Sequence, residues 1–90
     1  GFKGPSYETA AEIEMARILG ADAGTMSTVP EVIAANQWKM RVLGISCITN
    51  MATGIAAKKL SHEEVTDTAD RSKDKFVRLM KAILNQLPEW

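Results

Sequence analysis

Arg41-Val42-Leu43-Gly44-Ile45-Ser46-Cys47-Ile48-Thr49 is the stretch on which the fold class turns. It is nearly continuous apolar sequence without alternation, the pattern of a parallel strand covered on both faces. Working outward, Asn50 to Lys59 reads as a loop that contains Gly54 and ends in two lysines. Ser61-His62-Glu63-Glu64 is a capping box, and it predicts a long helix running to about Gln86. Val65, Ala69, Phe76, Leu79, Met80, Ile83 and Leu87 form the apolar stripe of that helix. On the upstream side, Val29 to Trp38 reads as a helix, with Thr28 and Glu31 as its capping box and Pro30 near the first helical position. Ala21 to Met26 is short, small and mostly apolar, and reads as a second buried strand. Thr9-Ala10-Ala11-Glu12 opens a first helix, which carries Ile13, Ala16 and the Ile18-Leu19 pair at helical spacing. Gly20 stops it at the C′ position. The order helix, strand, helix, strand, helix predicts an α/β protein: a parallel or mixed sheet with flanking helices and a long C-terminal helix.

That reading carries an internal demand. A strand buried on both faces needs neighbouring strands and covering helices, and this chain supplies about two strands in all. Left alone, such strands would expose sheet edges and apolar faces. The pattern therefore leads to the expectation that further strands lie upstream, and that residues 1–90 are the C-terminal part of a single domain.

Composition narrows the function classes. Ninety residues make one small domain, and a hydrophobic content of 46% with 24% charged residues is globular rather than disordered. Eleven Lys and Arg balance eleven Asp and Glu, so no net field recruits nucleic acid or an anionic membrane surface. Lys58, Lys59, Arg71, Lys73, Lys75 and Arg78, interleaved with Asp70 and Asp74, read as a solvated loop and helix face. Cys47 is the single cysteine and has no disulfide partner, which fits a reduced, cytoplasmic setting. One Cys and one His cannot build a zinc site. The longest apolar run is far too short for a transmembrane helix, and no signal-peptide pattern opens the sequence. Trp38 and Trp90 read as packing or interface residues.

Four places carry chemistry. Tyr7-Glu8 sets an aromatic face beside a carboxylate on the Gly4-Pro5 turn: the ring can stack on a flat base, and the carboxylate can accept from ring N–H and amino groups. The same pair fits a capped helix entry whose Tyr packs and whose Glu favours the positive helix end. Met26-Ser27-Thr28 places a hydroxyl and backbone N–H groups at a helix start, which suits phosphate and equally suits plain capping. Asn50 ends the predicted strand, where ligands of open α/β sheets bind, and an Asn there also serves as a turn cap. His62 is the only histidine, and it follows an N-cap directly, where a solvated first-turn role is open to it.

Taken together, Gly4-Pro5-Ser6-Tyr7-Glu8-Thr9, Met26-Ser27-Thr28-Val29-Pro30-Glu31 and Ile48-Thr49-Asn50 resemble the trimeric purine nucleoside phosphorylases. The likeness is to the carboxy-terminal third of such enzymes, of the bacterial kind, and it covers essentially the whole chain. It implies the C-terminal piece of a phosphorylase/hydrolase-like fold. It also implies phosphorolysis of 6-oxopurine (deoxy)ribonucleosides, such as inosine and guanosine, to free base and (deoxy)ribose 1-phosphate. By resemblance, Tyr7 lies against the base, Glu8 grips its lower edge, Met26 packs on the ribose, Ser27 bonds phosphate and His62 bonds the 5′-hydroxyl. Asn50 contacts N7 and O6, and with Glu8 it stabilises the departing purine, as a catalytic pair. No metal or organic cofactor is implied, phosphate being a co-substrate. The partners implied are nucleoside, phosphate, the upstream portion of the enzyme and two further copies in a homotrimer, with no nucleic acid and no membrane. The family's glycine-rich phosphate loop and its basic and histidine phosphate contacts would lie upstream, so the isolated chain is expected to be inactive.

One departure stands out. Where the family usually reads Val-Gly before the Met, this chain has Gly24-Thr25, which sets a side chain where the backbone normally approaches the nucleoside. That feature favours an alternative, a non-catalytic assembly or interaction module. A nearer alternative is a methylthioadenosine phosphorylase, which the resemblance would give an acidic residue at position 50, suited to a 6-amino group.

Overall fold

The structure is a computed structural model, and it describes residues 1–88; Trp90 lies outside the described residues. Among the described residues three helices form, in chain order: α1 over Ala10–Ile18, α2 over Val29–Gln37 and α3 over His62–Gln86. Their positions follow local sequence. At α1 the capping box is complete: Thr9 Oγ1 accepts the Glu12 N–H at 3.2 Å, and the Thr9 N–H donates to Glu12 Oε2 at 2.7 Å. Gly20, at φ +90°, ends the helix. Its N–H reaches the Arg17 carbonyl and the Ala21 N–H reaches the Ala16 carbonyl, a Schellman close. At α3 the Ser61 side chain accepts from the Glu64 N–H at 3.3 Å.

The predicted sheet is absent. Among the described residues there is no strand, and both Ala21–Met26 and Arg41–Thr49 run without regular structure. The α/β expectation is corrected to three helices joined by irregular segments. The physical reason is that a strand exists only through a ladder. Apolar continuity says that a segment wants cover; it does not supply the N–H and C=O partners that make a sheet. Between the first segment and residues 24–29, a single Phe2 N–H to Thr25 carbonyl bond of 2.7 Å stands in place of a ladder.

The same deficit shows in packing. No described residue is fully buried. The surface is 7974 Å², whereas a compact chain of this size exposes about 5,200 Å². The radius of gyration is 15.6 Å, against about 12 Å for a compact domain of ninety residues. The predicted stripe of α3 does find partial cover. Phe76, Met80, Ile83 and Leu87 line an apolar groove with Val42, Leu43 and Ile45 of the irregular 41–49 segment. Leu84 joins this face and Leu79 does not. Trp38 remains 79% exposed, and Cys47 is exposed and unpaired. Among the described residues, no helix is long and apolar enough to cross a membrane.

Candidate functional site

Three loops carry most of the predicted site residues. The first is residues 1–9, anchored on the 24–29 segment. Gly4 adopts φ +61°, a conformation glycine takes freely, and a Cβ there would sit 3.0 Å from the Met26 sulfur, so any other residue would be strained and would push that side chain aside. The turn carrying Tyr7 and Glu8 therefore starts on the side chain of Met26. The second loop holds Thr28, whose Cγ2 lies 3.7 Å from the Cβ position of Gly44. The third is the 50–59 loop, where a Cβ at Gly54 would meet Ala10 of α1 at 2.7 Å.

Across these loops, one hydrogen bond joins two predicted site residues that are 55 positions apart. Tyr7 Oη lies 3.3 Å from His62 Nδ1. Glu8 is half-buried just ahead of the α1 cap. Asn50 is half-buried and held at both ends of its amide. Oδ1 accepts the Ala52 N–H at 2.8 Å, and Nδ2 donates to Thr49 Oγ1 at 3.0 Å. The backbone donor settles which end is oxygen, and one Nδ2 proton remains for a ligand. Asn50 opens on a cavity of about 290 Å³ whose walls include Thr49, Lys58, Leu60 and Glu64. Tyr7, Glu8, Met26, Ser27 and His62 do not line it, although Leu60 and Glu64 flank His62 in sequence. The structure thus places the six residues as a Tyr7–His62 pair with Glu8 next to Tyr7 in the chain, a Met26–Ser27 turn reached by Gly4, and an Asn50 cavity bordering the start of α3.

The turn at Ser27 differs from the expected cap. No side-chain capping bond forms at Thr28, so the Thr28–Glu31 box is corrected. Instead the Val29 N–H donates to the Ser27 carbonyl at 2.8 Å, closing a γ-turn about Thr28 at φ +75°, ψ −48°. That conformation is strained for a β-branched residue. The Thr28 hydroxyl turns to Ser27 Oγ at 3.2 Å, and Ser27 Oγ meets Thr25 Oγ1 at 3.1 Å. Three hydroxyls carry three protons, and their two mutual contacts use two, so one proton is left to point outward. Thr25 Oγ1 also accepts the Ser27 N–H at 3.1 Å. Of the three described non-glycine residues with positive φ, Thr28 and Ala52 stand beside Ser27 and Asn50. Strain of this kind concentrates at functional positions.

Sequence reasoning missed the Thr25–Ser27–Thr28 hydroxyl chain, the clamp on Asn50 by Ala52, and the part of Lys58 and Glu64 in the cavity. Signals existed for the first two. Three hydroxyl residues within four positions compete with one another for donors, and an Asn two residues ahead of a small residue is an Asx-turn pattern. Nothing local marks Glu64, which is already used as a cap partner. Among the described residues no group of three or more His, Cys, Asp or Glu is placed to hold a metal ion.

Comparison with known proteins places these features in a lineage. The family model of the phosphorylase superfamily matches residues 1–85. Purine nucleoside phosphorylase 1 of Bacillus subtilis is 57% identical over 83 residues, 92% of this chain and 31% of that protein. Purine nucleoside phosphorylase 1 of Geobacillus stearothermophilus is 55% identical over 84 residues, 93% of this chain and 31% of that protein. The 6-oxopurine nucleoside phosphorylase of Pyrococcus furiosus is 38% identical over 87 residues, 97% of this chain and 33% of that protein. The chain spans about a third of the length of these relatives.

Proposed function

The chain belongs to the phosphorylase superfamily, and from that membership we propose that it forms the nucleoside-gripping part of a purine nucleoside phosphorylase. The reaction is reversible phosphorolysis of a 6-oxopurine (deoxy)ribonucleoside, giving free base and (deoxy)ribose 1-phosphate. The observation that carries this reading is the near-complete coverage of the chain by relatives bearing that name.

The geometry supports a division of labour. Tyr7 offers a ring face to the base, being 41% exposed, and Glu8 accepts from the base's N–H edge. Asn50 presents its remaining amide proton because Ala52 holds its oxygen. A donor there favours acceptors on the purine, N7 and a 6-oxo group, and disfavours a 6-amino group. As the glycosidic bond breaks, negative charge grows on the departing base, and a donor at N7 then counts for more than in the ground state. Met26 packs on the ribose and His62 bonds its 5′-hydroxyl. Ser27 directs the spare proton of its hydroxyl chain to phosphate, whose charge offsets the cation-like sugar. No metal or organic cofactor enters this scheme. The remaining phosphate contacts come from the rest of the protein, which acts as a cytoplasmic homotrimer.

The experiment follows inosine and phosphate to hypoxanthine with the full protein, and with residues 1–90 alone. Turnover is expected for the first and none for the second. Asn50→Asp is expected to reduce inosine phosphorolysis on the order of 100-fold, the weight of one transition-state donor. Full-protein turnover of methylthioadenosine in preference to inosine would refute the 6-oxopurine assignment. A second reading rests on Thr25, whose hydroxyl takes the Ser27 N–H and removes one donor from a phosphate. If that loss is decisive, the chain serves a non-catalytic module. Hypoxanthine binding without turnover would mark it.

A further inference from the structure

The contact between Tyr7 Oη and His62 Nδ1, at 3.3 Å, is unusual in joining a loop at one end of the chain to a helix start 55 residues on. The imidazole is held from its backbone side as well. Ser61 caps α3 through the Glu64 N–H, and Thr66 Oγ1 donates to the carbonyls of His62 and Glu63 at 3.3 and 2.8 Å. These bonds fix where the ring starts, but they leave open which ring nitrogen carries the proton. Tyr7 closes that choice. A phenol is a better donor than acceptor, whereas the bare nitrogen of a neutral imidazole is a good acceptor. The favoured arrangement is O–H to Nδ1, which places the imidazole proton on Nε2.

We infer that Tyr7 is a positioning residue: its hydroxyl holds His62 as the Nε2–H tautomer, an outward donor that selects ligands presenting an oxygen acceptor. For the identity of the ligand, the inference rests on the phosphorolysis reading above. A nucleoside whose 5′ position carries a hydroxyl or another oxygen gains from this donor. One with a bare 5′-methyl gains nothing, and one with a 5′-ammonium, a donor only, is opposed. Tyr7 thus has two duties on two parts of one substrate. Its ring face meets the base, and its hydroxyl, acting through His62, reads the far end of the sugar.

The test separates this claim from the reaction itself. Nitrogen-15 spectra of the full protein with labelled histidine are recorded at about pH 8, above the usual imidazole range. The His62 signals are assigned by their loss in His62→Ala. Nδ1 is expected at an unprotonated, pyridine-like shift and Nε2 at a protonated, pyrrole-like shift. In Tyr7→Phe, which keeps the ring and drops the hydroxyl, both are expected to move toward a tautomer average. A protonated Nδ1 in the wild type, or unchanged shifts in Tyr7→Phe, overturns the inference. In kinetics, Tyr7→Phe is expected to lower the preference for inosine over 5′-deoxyinosine about three- to tenfold, the weight of one neutral hydrogen bond. The same change is expected to have no effect on that preference in a His62→Ala background. An equal drop in both backgrounds would show that Tyr7 does not act through His62. The expected spectra with no phosphorolysis of inosine leave the tautomer lock standing and sink the reaction assignment instead.

Discussion

Helices α1 and α2 open on the same letters, Thr-x-x-Glu, and they could hardly begin more differently. Thr9 sits in extended backbone and shares three hydrogen bonds with Glu12. Thr28 is twisted to φ +75° and bonds its neighbour's hydroxyl, leaving Glu31 out. The far ends differ in the same sense. Both helices close with Schellman bonds, but α1 puts Gly20 in the left-handed position while α2 forces Lys39 into it at φ +56°. The first helix is content with its own sequence. The second has a non-glycine residue in the left-handed region at each end, and at its start the Thr28 hydroxyl bonds Ser27, which in turn meets Thr25. Strain placed beside Ser27, the residue proposed to meet phosphate, is what a functional turn looks like when local preference has been overruled.

The sharpest way to break this contrast is Ser27→Ala in the full protein. Phosphate use, read as kcat/KM for phosphate with inosine saturating, is expected to fall on the order of 10- to 100-fold, the weight of a hydrogen bond to a charged group. Thr9→Ala is expected to leave that quantity unmoved. Equal losses from both changes would erase the functional distinction between the two turns.

Stability should divide the two threonines by sign. Thr9→Ala removes a complete cap and is expected to destabilise the protein by about 1 kcal/mol in denaturant unfolding. Thr28→Gly relieves a conformation that costs a β-branched residue about 1–3 kcal/mol, so it should be neutral or stabilising while phosphate use falls. A loss of stability at Thr28→Gly as large as that at Thr9→Ala would show that the γ-turn is not strained. At the other end, Lys39→Gly is expected to raise stability by about 0.5–1 kcal/mol with no kinetic change, because glycine takes the left-handed position freely.

The smallest effect concerns α1 alone. Arg17 donates to both carboxylate oxygens of Glu14, at 2.8 and 2.7 Å, and this hydrogen bonding holds the Glu14 pKa below its ordinary value. A depressed carboxylate contributes stability above its unfolded pKa and loses it as pH falls through the folded one. The pair is exposed, so solvent screens most of its worth. Carbon-13 titration of the Glu14 carboxyl is expected to show a rise toward the ordinary value in Arg17→Ala. An unmoved titration would remove the pair from consideration.

Legibility followed locality. The Thr9 box, the Gly20 stop, the long α3 from Ser61 and most of its apolar stripe are set by contacts within a few residues, and the letters disclosed them. Arg41–Thr49 was misread for a related reason. Its continuous apolar character reports a need for cover, whereas a strand also requires a hydrogen-bonded ladder with a neighbouring segment, and no such ladder forms among the described residues. Thr28 was misread because its cap motif was complete in the letters, while its hydroxyl bonds that of its neighbour Ser27 instead. The residues of the candidate site could be nominated from chemistry and spacing. The Tyr7–His62 bond could not, since no periodicity links positions so far apart.

What the sequence determined on its own is the kind of local structure at each capped helix and the inventory of groups proposed to meet a nucleoside and a phosphate. Tertiary structure alone decided that residues 41–49 form no strand, that Thr28 twists into a γ-turn, that Ala52 clamps Asn50, and that Tyr7 reaches His62. The physical reason is range: caps and Schellman closes are satisfied within a turn of helix, while a ladder, a strained turn or a bond across 55 residues exists only once distant segments are brought side by side.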